Sequence, residues 1–327
     1  MIVFLVTLYS NLIAMSNKLV SIIIPAYNEE EVIVDMVNEV TSALKNIEED
    51  IEVVCVNDGS ADRTLDILRE MAERDSRIKV IDLSRNFGHQ IAVTAGVDHC
   101  NGDCAVIIDA DLQDPPTLIP AMLDKWKENY HVVYAKRKKR KGEPWLRLIM
   151  INLFYRLLKS ITKFDIPLDT GDFRLIDRKV IDALKNMPER FRYIRGMVSW
   201  VGFNQTGVEY ERQERKAGES KYPFSKLLTL ALDGIVGFSF FPLRIAAWFG
   251  FIISGFAFLY AIFILYKAIF LDAAVQGWSS MMVVILFLGG IILVMLGVIG
   301  EYLGRTNIES KNRPPYFVKE TIEKDKN

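Results

Sequence analysis

Four short, largely apolar runs, at residues 20–25, 51–57, 78–83 and 104–109, alternate along the first third of the chain with stretches of helical spacing. A strand that is apolar on both faces must be covered on both faces, and a strand–helix alternation supplies that cover with helices. The pattern therefore predicts an α/β domain on a mostly parallel, Rossmann-like sheet. The first helical stretch, 29–44, carries Val32, Met36, Val37, Val40 and Leu44 on one stripe. Ser60 or Asp62 can cap a second helix that runs to about residue 73. Further helices are expected at 89–99 and 115–129, the latter opened by Pro115 and Pro116, and a further strand at 132–135. Ligands of such sheets bind at the carboxyl ends of the strands.

Two of those ends are acidic. Asp109-Ala110-Asp111 closes the fourth run, and residues i and i+2 of an extended chain project to the same side. Paired hard oxygen donors suit Mg²⁺ or Mn²⁺, an ion that would also contact a diphosphate. Gln113 and Asp114-Pro115-Pro116 follow directly. Asn57-Asp58-Gly59-Ser60 closes the second run. These residues are good turn and capping chemistry, and Asp58 can also accept hydrogen bonds from a base or ribose; the two readings are compatible.

Half of the 327 residues are apolar, and they gather toward the C-terminus. Residues 245–266 hold no charge over 22 positions and residues 273–300 none over 28. Each is long enough to cross a hydrocarbon core, which predicts a two-helix transmembrane hairpin. Lys221, Lys226 and Arg244 flank one outer end and Arg305, Lys311 and Arg313 the other, so the positive-inside rule puts both termini and the α/β domain in the cytoplasm. The formal net charge of −1 gives no support to nucleic-acid binding. Cys55, Cys100 and Cys104 lack metal-ligand spacing and read as small core residues of a reducing compartment. The basic run at 136–141 precedes an amphipathic stretch, 145–158, that can lie on a membrane surface or pack on the domain. Met15 stands directly before the first strand, and residues 1–14 are expected to come from an upstream start.

Three motifs then converge. Ile22-Ile23-Ile24-Pro25-Ala26-Tyr27-Asn28-Glu29-Glu30, Val56-Asn57-Asp58-Gly59-Ser60 and Asp109-Ala110-Asp111-Leu112-Gln113-Asp114-Pro115-Pro116 resemble family 2 glycosyltransferases of GT-A fold. More narrowly the chain is similar to the polyprenyl-phosphate glycosyltransferases, the bactoprenol glucosyltransferases and dolichol-phosphate mannose synthases. The likeness continues through Arg85-Asn86-Phe87-Gly88-His89-Gln90, Thr170-Gly171-Asp172-Phe173-Arg174-Leu175, Gly218-Glu219-Ser220-Lys221-Tyr222 and Asn312-Arg313-Pro314-Pro315-Tyr316.

The resemblance implies roles. Pro25, Tyr27, Glu29 and Asp58 would hold the nucleotide, and Asp109, Asp111 and Gln113 would surround the metal and diphosphate. Asp172, with Asp111 the catalytic pair, would be the base or the carboxylate that positions the acceptor. Arg212, Arg215, Ser220 and Lys221 would meet the acceptor phosphate. A phosphate monoester is already anionic near neutral pH, so it needs positioning and charge neutralisation more than deprotonation. A single displacement would invert the anomeric carbon.

The expectation is an inverting transferase that moves a hexose, first glucose from UDP-glucose, to undecaprenyl or another polyprenyl phosphate at the cytoplasmic membrane. GDP-mannose and UDP-aminosugars are the nearest alternatives, and a non-catalytic membrane scaffold is the rival from another class. A processive synthase would carry a Gln-x-x-Arg-Trp motif, which this chain lacks. The expected layout is an N-terminal extension (1–15), a GT-A domain (16–224), an interfacial amphipathic helix (225–242), two spans within 243–304 (about 243–267 and 276–302) and a cytoplasmic tail (305–327). A homo-oligomer, a tetramer by resemblance, is expected.

Overall fold

The computed structural model describes residues 17–138, 167, 170–210, 241–270 and 277–324. Expectations for 1–15, for 145–158, and for Arg212, Arg215, Ser220, Lys221 and most of 225–242 lie outside the described residues. The chain forms two compact units, one holding the sheet and the other the two long helices.

In the first unit, strands β1 (Leu19–Ala26), β2 (Asp50–Asn57), β3 (Ile78–Leu83), β4 (Cys104–Ile107), β5 (Val132–Arg137), β6 (Thr170–Asp177), β7 (Gln205–Tyr210) and β8 (Val318–Glu323) form one eight-stranded sheet. The order is β7-β5-β6-β4-β1-β2-β3-β8. β4, β1, β2 and β3 run parallel. Ile22, Ile23, Ile24, Val53, Val54, Val80 and Val106 of these strands are wholly buried, as two-sided cover requires. The cover comes from α1 (Ile33–Ala43), α2 (Thr64–Arg74), α3 (His89–His99), α4 (Ile119–Lys127), α5 (Arg178–Lys185) and α6 (Ile194–Trp200). α1 buries Met36, Val37 and Val40 of the expected stripe together with Ile33, and Val32 and Leu44 just outside its ends are buried too. It starts four residues later than its periodicity suggests, because residues 28–32 turn to meet the loop after β2.

Three strands went unforeseen. β6 pairs antiparallel with both β4 and β5, and β8 pairs antiparallel with β3. β8 lies in the stretch expected to be a tail, so the sheet unit closes with residues from beyond the long helices. β1 is the point where strand order reverses: the chain proceeds to β2 and β3 on one side, then returns to β4 on the other. Sheets of this kind bind their ligands at such a reversal, in a crevice at the strands' carboxyl ends.

In the second unit, α7 (Phe241–Phe270) and α8 (Trp278–Ser310) are long and apolar. Phe251, Phe256, Phe258, Leu293 and Val294 are more than half exposed within the chain. Apolar surface on that scale calls for an apolar surrounding. Among the described residues, Phe287–Ser310 is the one helical stretch long and apolar enough to cross a membrane.

Candidate active site

The crevice is built from the ends of β1, β2 and β4, the N-terminus of α3, and the start of β6. Pro25 is buried in β1, and Tyr27, just past it, is 40% exposed. Asn28 takes a left-handed turn (φ 53°) that carries the chain over to the loop after β2. There the two loops zip together. Asn28 N–H donates to Ser60 Oγ (3.0 Å), Ala61 N–H to Asn28 Oδ1 (2.8 Å) and Glu29 N–H to Thr64 Oγ1 (2.9 Å). Asp62 accepts the Thr64 N–H (3.0 Å) just ahead of α2, but the N-cap position itself is Arg63, so neither Ser60 nor Asp62 is the cap.

Asp58 is 2% exposed. Its two oxygens accept the Phe87 and Gly88 N–H groups at 2.7 and 2.9 Å. Burial pushes its carboxyl up, and those amides, with His89 and Arg85, offset this only in part. Gly59 follows with φ +65°, and a Cβ there would lie 2.4 Å from the Arg85 carbonyl carbon. Only glycine lets the turn close on the 85–88 loop. Asp58 and Gly59 thus lock the turn after β2 to the loop that leads into α3.

Beyond β4, Asp109 and Asp111 are partly buried, and Leu112 between Asp111 and Gln113 is forced to φ 57°. A branched side chain in that region is strained, and strain of this kind concentrates at functional turns. Gln113 N–H donates to Asp111 Oδ1 at 3.2 Å. Asp109 Oδ1 makes no hydrogen bond and faces His89 Nε2 at 3.5 Å. Burial raises the Asp109 carboxyl to about 6; His89 opposes the rise, while Asp172, Asp114 and Asp111 add to it. Among the described residues no three acidic, His or Cys side chains gather to cage a metal. Two carboxylates in a field of surplus negative charge nonetheless fit a hard divalent cation. Mg²⁺ and its like are commonly held by one or two carboxylates, with substrate phosphates completing the shell.

Asp172, 8% exposed on β6, meets a second set of groups. Arg195, on α6, grips it bidentately, Nε to Oδ1 at 2.8 Å and Nη2 to Oδ2 at 3.0 Å. His89 Nε2 lies 3.3 Å and Gln90 Nε2 3.4 Å from Oδ2. Gln90 also accepts the Ile194 N–H at 3.0 Å, tying α3 to α6. Burial alone would raise the Asp172 carboxyl. Arg195 and His89 outweigh it and hold the carboxyl well below the usual range. Burial likewise pulls His89 down, but Asp109 and Asp172 reverse this and lift it to about 9. One imidazole therefore bridges the two motif carboxylates. The sequence placed His89 in a motif without a role of its own, and Arg195 lies in no motif; its one signal was the basic-aromatic stretch from Arg190 to Arg195. A third cluster was also missed. Tyr210 donates to Asp114 and accepts from Arg137 Nε (3.2 Å), so the second residue of the basic run is anchored beside the site.

Two partly buried carboxylates therefore follow β4 where the strand order reverses, at the carboxyl ends at which sheets of this kind bind their ligands. Residues 21–185 match the glycosyl transferase family 2 model, and the chain belongs to that family. It is similar to an uncharacterised glycosyltransferase, YkcC, of Bacillus subtilis (strain 168), 53% identical over 301 residues, covering 92% of this chain and 93% of the relative. A bactoprenol glucosyl transferase of Shigella phage SfV is 40% identical over 305 residues, 93% of this chain and 99% of the relative. A prophage bactoprenol glucosyl transferase homolog of Escherichia coli (strain K12) is 41% identical over 300 residues, covering 92% and 98%. Among solved structures, a Pyrobaculum calidifontis mannosyltransferase in complex with GDP-Man and Mn²⁺ overlaps 60% of this chain and 56% of its own, at 20% identity and a TM-score of 0.45.

Proposed function

We propose that this glycosyltransferase moves a hexose, glucose from UDP-glucose, onto undecaprenyl or a related polyprenyl phosphate at the cytoplasmic face of the membrane. The observation that carries the reading is the match of about 40% identity to bactoprenol glucosyl transferases, which runs through both long apolar helices and not just the sheet unit. In this reading α7 and α8 are a two-span hairpin, and Arg212, Arg215, Ser220 and Lys221 receive the lipid phosphate.

Pro25, Tyr27, Glu29 and the Asp58 turn form the nucleotide wall. Asp109 and Asp111, with Gln113 beside them, hold a divalent ion, Mg²⁺ or Mn²⁺. When bound, that ion supplies Lewis-acid stabilisation of charge on the departing diphosphate. His89, at the N-terminus of α3, lies 3.5 Å from Asp109, and the positive end of a helix favours anions. Of the two roles open to Asp172, positioning fits better. A carboxylate gripped by Arg195 and His89 is a poor proton acceptor, and a phosphate nucleophile needs none. Its work is to orient Arg195 and His89 beside the point where the acceptor oxygen attacks. A direct displacement inverts the anomeric carbon.

The test is incubation of the purified full-length protein with undecaprenyl phosphate and labelled UDP- and GDP-sugars, with and without chelator. Label is expected in the lipid fraction from UDP-glucose and lost with chelator. Label from GDP-mannose or a UDP-aminosugar alone would reassign the donor. No lipid-linked sugar with any donor and metal would overturn the reading.

A further inference from the structure

Asp82 is the penultimate residue of β3, and its side chain is 2% exposed. A carboxylate buried to that depth needs compensation from partners. Oδ1 accepts the Asn57 amide, Nδ2 to Oδ1 at 2.7 Å. Oδ2 makes no hydrogen bond and faces the Lys319 ammonium at 3.4 Å. Lys319 belongs to β8, the strand that returns to the sheet after the apolar helices.

The contact does more than neutralise a charge. With its NH₂ taken by Asp82, the Asn57 amide has one orientation, and its Oδ1 accepts the Ser60 N–H at 3.3 Å. Ser60 Oγ in turn accepts the Asn28 N–H at 3.0 Å. A continuous path thus runs Lys319–Asp82–Asn57–Ser60–Asn28, from the last strand to both loops of the crevice's β2 side. A second ion pair on the same strand, Arg69 to Glu320 at 2.5 Å, fastens β8 to α2, with Glu320 opposite Asp82 in the ladder.

We propose that Lys319 is a positioning residue for nucleotide binding, acting through the Asp82 carboxylate on the Asn57 side chain that shapes the turn at 57–60. The proposal rests on the reading of that turn as the nucleotide wall. It makes the strand beyond the apolar helices a functional part of the donor site, where the sequence alone showed a tail.

UDP binding to the full-length protein in Mn²⁺ tests it by titration calorimetry, beside thermal unfolding. Lys319→Met weakens UDP about tenfold, the loss one misplaced hydrogen-bonding group produces. Lys319→Arg keeps most of the affinity. Glu320→Gln loosens the same strand and lowers the melting temperature but leaves UDP affinity unchanged. In an Asp82→Asn background, which keeps an acceptor for Asn57 without the charge, Lys319→Met has no further effect on UDP; that pair decides the matter even if Lys319→Met alone does not fold. Wild-type affinity in Lys319→Met, an equal loss in Glu320→Gln, or a full further loss in the Asp82→Asn background would each overturn the proposal. Failure of the wild-type protein to bind either UDP or GDP would instead remove the reading of the turn, and the proposal with it.

Discussion

The two sides of the crevice each immobilise a buried carboxylate, but with different chemistry. On the β2 side, Asp58 is held by main-chain amides of Phe87 and Gly88, and the neighbouring loops by the N–H groups of Asn28, Glu29 and Ala61. On the β6 side, Asp172 is held by the charged side chains of Arg195 and His89. The electrostatic result is opposite: burial wins at Asp58 and raises it, while the cations win at Asp172 and depress it. Amides in a closed turn cannot swing away and do not titrate. Guanidinium and imidazole groups on side chains can change partner, and their hold depends on pH and, where exposed, on salt. The first arrangement suits a wall that always meets the same nucleotide. The second suits a wall that must accommodate an incoming anion.

The largest effect tests what lies between the walls. Asp111→Ala removes one of the two carboxylates proposed to hold the metal, and transfer should fall at least about 10³-fold. Lipid-linked label measures it. Next, Asp172→Asn removes the negative charge that Arg195 and His89 share and should lower kcat about 10²-fold. If the two walls are independent, UDP affinity by calorimetry stays at the wild-type value. A matching loss of UDP affinity would show that they act as one.

The same division explains what was legible in the sequence. β1 to β4 announce themselves because their apolar runs satisfy local rules, and the turn at 57–60 and the pair Asp109 and Asp111 stand at strand ends where chemistry is expected. β6 hides because Asp172 and Arg174 interrupt its apolar pattern; Asp172 is stable there through Arg195, 23 residues further on, and His89, 83 residues earlier. β8 alternates Val, Lys, Glu, Thr, Ile, Glu in a charged stretch, with every second residue exposed, and gains its identity from pairing with β3 more than 230 residues earlier. Arg195 carries no motif at all. Groups whose role depends on a distant partner leave little local trace.

A smaller effect probes the amide wall itself. Gly59→Ala needs a left-handed backbone and room that the Arg85 and Asn86 main chain already fills, with Asn86 N 2.5 Å from the new Cβ. Stability should drop by roughly 2 kcal/mol. Because the strain sits in the turn, UDP affinity should weaken with it, while the Asp172 side is unaffected. Denaturant unfolding and UDP titration check both halves of that statement.

The smallest effect concerns pH. In the metal-free protein the imidazole of His89 is raised from 6.5 to about 9, against the pull of burial, by Asp109 and Asp172. A group whose folded-state pKa is raised stabilises the fold fully below its unfolded value and loses that contribution as pH rises through the folded one. The stability advantage of wild type over His89→Gln should therefore be greatest near pH 6 and fade toward pH 9.5. Melting curves in chelator should show a difference of about 2–4 °C at the lower pH. Asp58 is held chiefly by backbone amides, which do not titrate, and His89 is one of its weaker influences, so Asp58→Asn against wild type should show a gap that changes less across the same interval. Parallel curves for His89→Gln would mean that the charged bridge contributes nothing to the fold, leaving Arg195 as the group that holds Asp172.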